Sequence, residues 1–276
     1  MAWHAHLALH YERQGARTVA RHRHEGPLRI LQSLYPEGDT ICHNVLVHPP
    51  SGLVGGDVLD IDIRLDAGTH GLVTTPGATR FYRSEGETAV QRTRVQVATG
   101  ARLEWLPMEA LCFSGCRAEN RLTFALEPDA QVLGWDVTAL GLPEANQPFE
   151  AGSLLQHLEV QGGWLERGHI AASDARLMDG PLGLAGQRCV ATLFFTSGSP
   201  IEAAQRERAL ELAREIIEAH PLRPQAGATA PDPSVLVVRV LAPVVEPAMQ
   251  LLKAVRGAWR TALWDLAPNP PRTWAL

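Results

Sequence analysis

Three eight-residue segments set the first constraint on this chain. HGLVTTPG begins at His70, ARLEWLPM at Ala101 and AQVLGWDV at Ala130, so their starts lie 31 and 29 residues apart. Each follows a turn containing Gly or Asp. A period near thirty fits a stacked β architecture, in which each unit buries its apolar face only against its neighbours. A plain antiparallel sandwich with strands of similar length is the alternative. In the stacked arrangement Thr75, Leu106 and Trp135 lie roughly above one another.

The rest of the pattern extends this reading. Residues 1–200 are short Val-, Leu- and Thr-rich runs punctuated by Gly, Pro and Asp. Trp3, Ala5, Leu7, Leu9 and Tyr11 alternate with His4, His6, Ala8 and His10, as on a half-buried strand. Leu59, Ile61, Ile63 and Leu65 alternate with Asp60, Asp62 and Arg64 in the same way. After residue 198 the period becomes helical. Ser199-Pro200-Ile201-Glu202 resembles a capping box, and Leu210, Ala213 and Ile217 follow at helical spacing until Pro221. Residues 223–234 read as a loop and Val235–Leu241 as a buried strand. Pro247 opens a second helix with Leu252, Val255, Trp259 and Leu263 on one stripe. The expected fold is mainly β: a β-helix-like solenoid over 1–200 and a helix–strand–helix element over 200–276 packed on it, in one domain.

Composition narrows the function. The chain is 45% hydrophobic and 20% charged, with net charge −5, so it lacks the basic excess that nucleic-acid binding needs. Lys253 is its sole lysine. There is no phosphate-binding loop of the G-x-x-x-x-G-K-[ST] type, nor a G-x-S-x-G, H-E-x-x-H or G-x-G-x-x-G motif. Val235–Val245 is too short and too interrupted to span a bilayer, and the N-terminus lacks a signal-like apolar core. The expected location is the cytoplasm, where Cys42, Cys112, Cys116 and Cys189 are reduced. Their spacing favours small buried thiols over a zinc site.

Candidate chemistry rests on a few side chains. His4, His6 and His10 share one strand face, and His22 and His24 share another; imidazoles at i and i+2 can converge on one ion, although a solvated strand face accounts for them too. Asp57 has the parity of Leu59 and Ile61 and follows Gly55 and Gly56, so it is either an inward carboxylate with a partner or the cap of its own turn. Glu104, Glu109 and Asp136 lie in or beside the second and third repeat units. Asp57, Glu104 and Asp136 then border one polar path, with Ser84 and Glu109 as further members; the alternative is three unrelated surface acids. The Pro/Gly-rich apolar stretches 45–56 and 72–82 read as a partner-binding patch, with Pro49, Pro50, Gly55, Gly56, Pro76, Arg80, Tyr82 and Arg83 as its contacts.

Four motifs, HPPSGLVGGD (His48–Asp57), TTPGATRFYRS (Thr74–Ser84), LEWLPMEALCFSG (Leu103–Gly115) and GWDVTALGLPE (Gly134–Glu144), resemble those of the UreD/UreH family of urease accessory proteins. Ser51 stands where that family commonly has Gly, Arg80 where Lys is frequent and Met108 where Gln is frequent. The resemblance implies a non-catalytic protein that binds apo-urease and UreF, engages the GTPase UreG through UreF, and takes part in nickel insertion. It also implies a nickel passage through the chain, with nickel(II) held transiently and no tightly bound cofactor. Carboxylates with retained waters suit such a passage, because a His/Cys cage would trap the ion. A polymer-acting enzyme on a β-solenoid and a pure adaptor without a metal role are the competing readings.

Overall fold

The computed structural model describes residues 2–275. From Ile41 to Val160 the chain winds between two sheets and successive rungs pair in parallel, whereas the later strands join the sheets antiparallel. In the first sheet the order is Trp164–Ala171, Gly152–Val160, Cys116–Leu126, Ala89–Val97, Val58–Leu65, His4–Gln14 and Arg17–Glu25. In the second it is Ala226–Asp232, Val235–Ala242, Cys189–Ser197, Gln131–Leu142, Arg102–Leu106, His70–Thr74, Ile41–Val47 and Arg29–Ile30. Short strands Gly52–Leu53, Thr79–Phe81 and Ala110–Cys112 stack in parallel to form a third side.

The stacked expectation is met, with one shift of register. Ile41, His70, Arg102 and Gln131 sit on one rung line of the second sheet. Leu106 therefore pairs with Thr74 rather than Thr75. One residue of slip reverses the face on which a side chain stands.

Two apolar cores follow from the winding. The inner one, between the sheets, holds Leu7, Leu9, Ile61, Val73, Leu103, Trp105, Leu122, Phe124 and Phe194. The outer one lies between the second sheet and two helices, α2 (Ala203–Glu218) and α3 (Val245–Trp264), which follow a short α1 (Ala175–Asp179). Strands buried on both faces read as continuous apolar runs, which is why LEWL and VLVVRVL show little alternation. Leu252, Val255, Trp259 and Leu263 are all buried on α3, as their spacing predicts.

Several local expectations are corrected. Trp3 is 52% exposed, because the chain has not yet entered the sheet. Glu202, not Ser199, caps α2, its carboxylate accepting from the Ala204 and Gln205 N–H groups; Ser199 Oγ instead accepts from Asp129 N–H. Helix α3 starts at Val245, two residues before Pro247. Residues 226–232 form an edge strand against Val235–Ala242 rather than a loop, since an edge tolerates Pro and small residues.

The outer face of the first sheet is left to solvent. It carries His4–Asp60, His6–Asp62 and His10–Asp66, each at 2.9 Å, and Arg94–Asp62 at 2.7 Å.

Candidate functional site

A polar layer crosses the inner core. Gln91, Asn120 and Gln156 occupy paired positions on three successive parallel strands of the first sheet. The alternation that turns Val95, Leu122 and Leu158 into the core turns these amides inward too. Across from them, Trp135 and Val137 face the helices, so Asp136 between them faces inward. Gln91 Nε2 donates to Asn120 Oδ1 at 3.3 Å, and Asn120 Nδ2 donates to Asp136 Oδ1 at 3.1 Å. Gln156 Nε2 donates to the other Asp136 oxygen.

Burial pushes the Asp136 carboxyl up to about 6, against the lowering effect of the Gln156 and Asn120 amides. Its side chain is half-buried among these amides. At one end the layer meets a small, partly open pocket of about 110 Å³ lined by Leu46, His48, Ser51, Thr75, Pro76 and Gln91, among others. At the other end Asp136 pairs with Thr192 and Thr192 with Arg239, which meets Glu166 of the first sheet. Cys112, its thiol pushed well up by Cys116 and by burial, lies near Asp136.

The structure does not bring Asp57 and Glu104 to this layer. Glu104 is fully buried on the opposite face of the second sheet, under α3. Arg256 Nε and Arg260 Nε donate to its two oxygens, each at 3.0 Å. Arg260 Nη2 donates to Glu37 Oε1 at 2.8 Å, and Arg256 Nη1 to the Asn269 carbonyl at 2.7 Å. Burial pushes the Glu104 carboxyl up, but His70 and the Arg256 and Arg260 guanidiniums outweigh it and hold it at about 2. His70 Nε2 stands 3.6 Å from Glu104, beyond hydrogen-bond reach.

Asp57 is inward and buried, but it works on the backbone: it accepts from Trp3 N–H at 2.8 Å and from Val54 N–H at 2.9 Å. The turn-capping reading describes it. Asp57→Ala is expected to cost about 1–3 kcal/mol, since two backbone donors lose their acceptor. Thermal melts measure this; an unchanged midpoint would contradict a turn-fixing role.

The remaining candidates lie elsewhere. Ser84 Oγ donates to the Glu87 carbonyl within a corner. Glu109 lies near Cys189, on the helix side of the second sheet, and helps burial push that thiol up to about 12. His4, His6 and His10 stand on the outer face against aspartates. His24 pairs with Leu7 and His22 with Leu9, so those two stack on each other on the opposite face, 6.0 Å between ring centroids. The two histidine groups therefore do not converge. Among the described residues, no three His, Cys, Asp or Glu side chains form a group able to hold a metal ion.

A wide cleft of about 830 Å³ is lined by Arg83, Arg117 and His169 beside hydroxyls; its one acid, Glu119, is tied to Arg121. It lacks the pair of free carboxylates that glycoside chemistry requires.

The chain's whole length can be set against known proteins. The model for the UreD urease accessory protein family matches residues 4–275. This chain belongs to that family. It is 67% identical over 275 residues to the urease accessory protein UreD of Variovorax paradoxus (strain S110), with 100% of both chains covered. It is 63% identical over 276 residues to that of Polaromonas sp. (strain JS666 / ATCC BAA-500), again with 100% of both covered. Against that of Methylibium petroleiphilum (strain ATCC BAA-1232 / LMG 22953 / PM1) identity is 48% over 294 residues, covering 99% of each.

The UreD motifs turn out to pack successive solenoid corners. A Cβ on Gly52 would overlap the Tyr82 ring, and one on Gly55 would overlap Ser84 Oγ. Tyr82 then packs on Phe113 of the next corner, with ring centroids 5.0 Å apart. Of the residues expected to form a partner patch, Gly55, Gly56, Arg80 and Tyr82 are only partly exposed, whereas Pro49, Pro50, Pro76 and Arg83 are exposed. The amides Gln91, Asn120 and Gln156 were not among the sequence candidates. Their inward parity and spacing near the repeat length were the available signal.

Proposed function

We propose that this urease accessory protein is a non-catalytic scaffold and nickel conduit in urease maturation. In this reading it binds UreF directly, engages UreG through UreF, and presents nickel(II) to apo-urease in a GTP-dependent complex in the cytoplasm. The observation that carries the conduit is the interior layer of Gln91, Asn120, Gln156 and Asp136 leading from the partly open pocket at His48 and Ser51. Amide oxygens and a single carboxylate hold a hydrated divalent ion weakly, as transit demands. Among the described residues, no helix is long and apolar enough to cross a membrane.

The test is nickel per urease active site after activation, with a pull-down of the assembled complex beside it. Asp136→Asn keeps the size and the polarity and removes the charge. It is expected to lower nickel content about tenfold, the effect of losing ~1.4 kcal/mol at a weak site, with the complex intact. Full nickel content would favour the adaptor reading instead, in which the corner motifs serve packing alone.

A further inference from the structure

Arg239 is out of place in its strand. The run VLVVRVL is otherwise apolar, and Val235 and Val237, with the same parity as Arg239, belong to the inner core. Arg239 thus points between the sheets, in line with Thr192 and Asp136. Its guanidinium meets Glu166, which faces inward from Trp164–Ala171, the edge strand of the first sheet. The Arg239 side chain is 56% exposed and that of Glu166 25% exposed. The pair therefore sits at the surface end of the polar layer and bridges the two sheets there.

We infer that Arg239 and Glu166 form an electrostatic stopper, which closes this end of the layer to hydrated cations in the isolated chain. The physical reason is simple. A small cation entering here meets the Arg239 guanidinium before it reaches the Asp136 carboxylate. Glu166, the group that would attract the cation, is already occupied by Arg239. A fixed arginine is an effective barrier to cations in narrow polar passages, and low-dielectric walls strengthen the repulsion. The closure itself follows from the Arg239 charge at this end; its use in gating nickel rests on the conduit reading.

The interior thiols provide a readout independent of urease. Cys112 and Cys116 are fully buried and free, Cys112 near Asp136 and Cys116 beside Cys112, whereas Cys189 lies on the helix side of the sheet. The full chain is treated with a neutral methanethiosulfonate and with its ammonium-bearing analogue, and labelling is resolved by peptide mass spectrometry. Arg239→Met keeps an apolar stem and removes the charge. It is expected to raise the ratio of cationic to neutral labelling at Cys112 and Cys116 by about tenfold, the scale on which local fields change small-ion encounter. Cys189 should not change. Glu166→Gln leaves the guanidinium in place and should not raise the ratio. A general loosening of the fold speeds both reagents together and leaves the ratio unchanged; that result overturns the inference. A raised ratio combined with full nickel delivery by Asp136→Asn would leave the stopper standing and remove the conduit.

Discussion

A Glu104→Gln chain is expected to melt about 6–20 °C below the unsubstituted one, a loss of about 3–5 kcal/mol at the usual conversion for a domain of this size. The size of the effect comes from what remains behind. Arg256 and Arg260 are buried on α3 and both lean on this one carboxylate. Without its charge, two guanidiniums stay in the low-dielectric layer with Glu37 as their nearest acid. The same chain should differ in acid. Glu37 is also held at about 2, because His43, Arg260 and Asn269 outweigh the upward push of burial. A carboxylate whose folded value is depressed stabilises the fold above its unfolded value and loses that contribution as pH falls through the folded one. Stability should therefore decline between about pH 4.5 and 2, less steeply in Glu104→Gln. Replacing the group as a unit, Glu104→Leu with Arg256→Met, Arg260→Leu and Glu37→Gln, should recover most of the loss, since apolar or neutral residues of similar volume need no counter-charge. Coincident melts of Glu104→Gln and the unsubstituted chain would refute the assignment.

Trp259→Ala should cost about 3–5 kcal/mol, the range for deleting a buried aromatic side chain. The indole is fully buried between the helical layer and the second sheet, and its Nε1 donates to the Ala209 carbonyl of α2 at 2.8 Å. The substitution opens a cavity and removes a bond between α2 and α3. Amide hydrogen exchange should accelerate first in those two helices, which cover only one face of the solenoid. Guanidinium titration gives the magnitude; a loss below about 1 kcal/mol would mean that the layer repacks around the gap.

The repeat was legible in the chain because Gly- and Pro-rich corners recur on a nearly fixed period and survive a one-residue error. The direction of each acid was not. Glu104 and Asp136 sit in strands apolar on both faces, LEWL and GWDV, where alternation cannot say which side is the core. The pairing of Leu106 with Thr74 fixes that parity, and it sends Glu104 to the helices and Asp136 to the interior. Nor could the arginines of α3 be matched to Glu104, about 150 residues earlier, without the packing of the helical layer. The helical stripe Leu252, Val255, Trp259 and Leu263 was readable because helices keep strict phase.

The uncovered face of the first sheet constrains how this molecule meets others. Its aspartates are already matched: Asp60 to His4 and Arg92, Asp62 to His6 and Arg94, Asp66 to His10. A protein docking there would strip water from charges that have no unmet partner to offer, losing hydration without gaining attraction. Association should be cheaper at the pole where Trp3, Leu31 and Val54 stand exposed beside Pro49 and Pro50. The broad flat side thus acts as a hydrated screen, leaving the ends of the solenoid for contact.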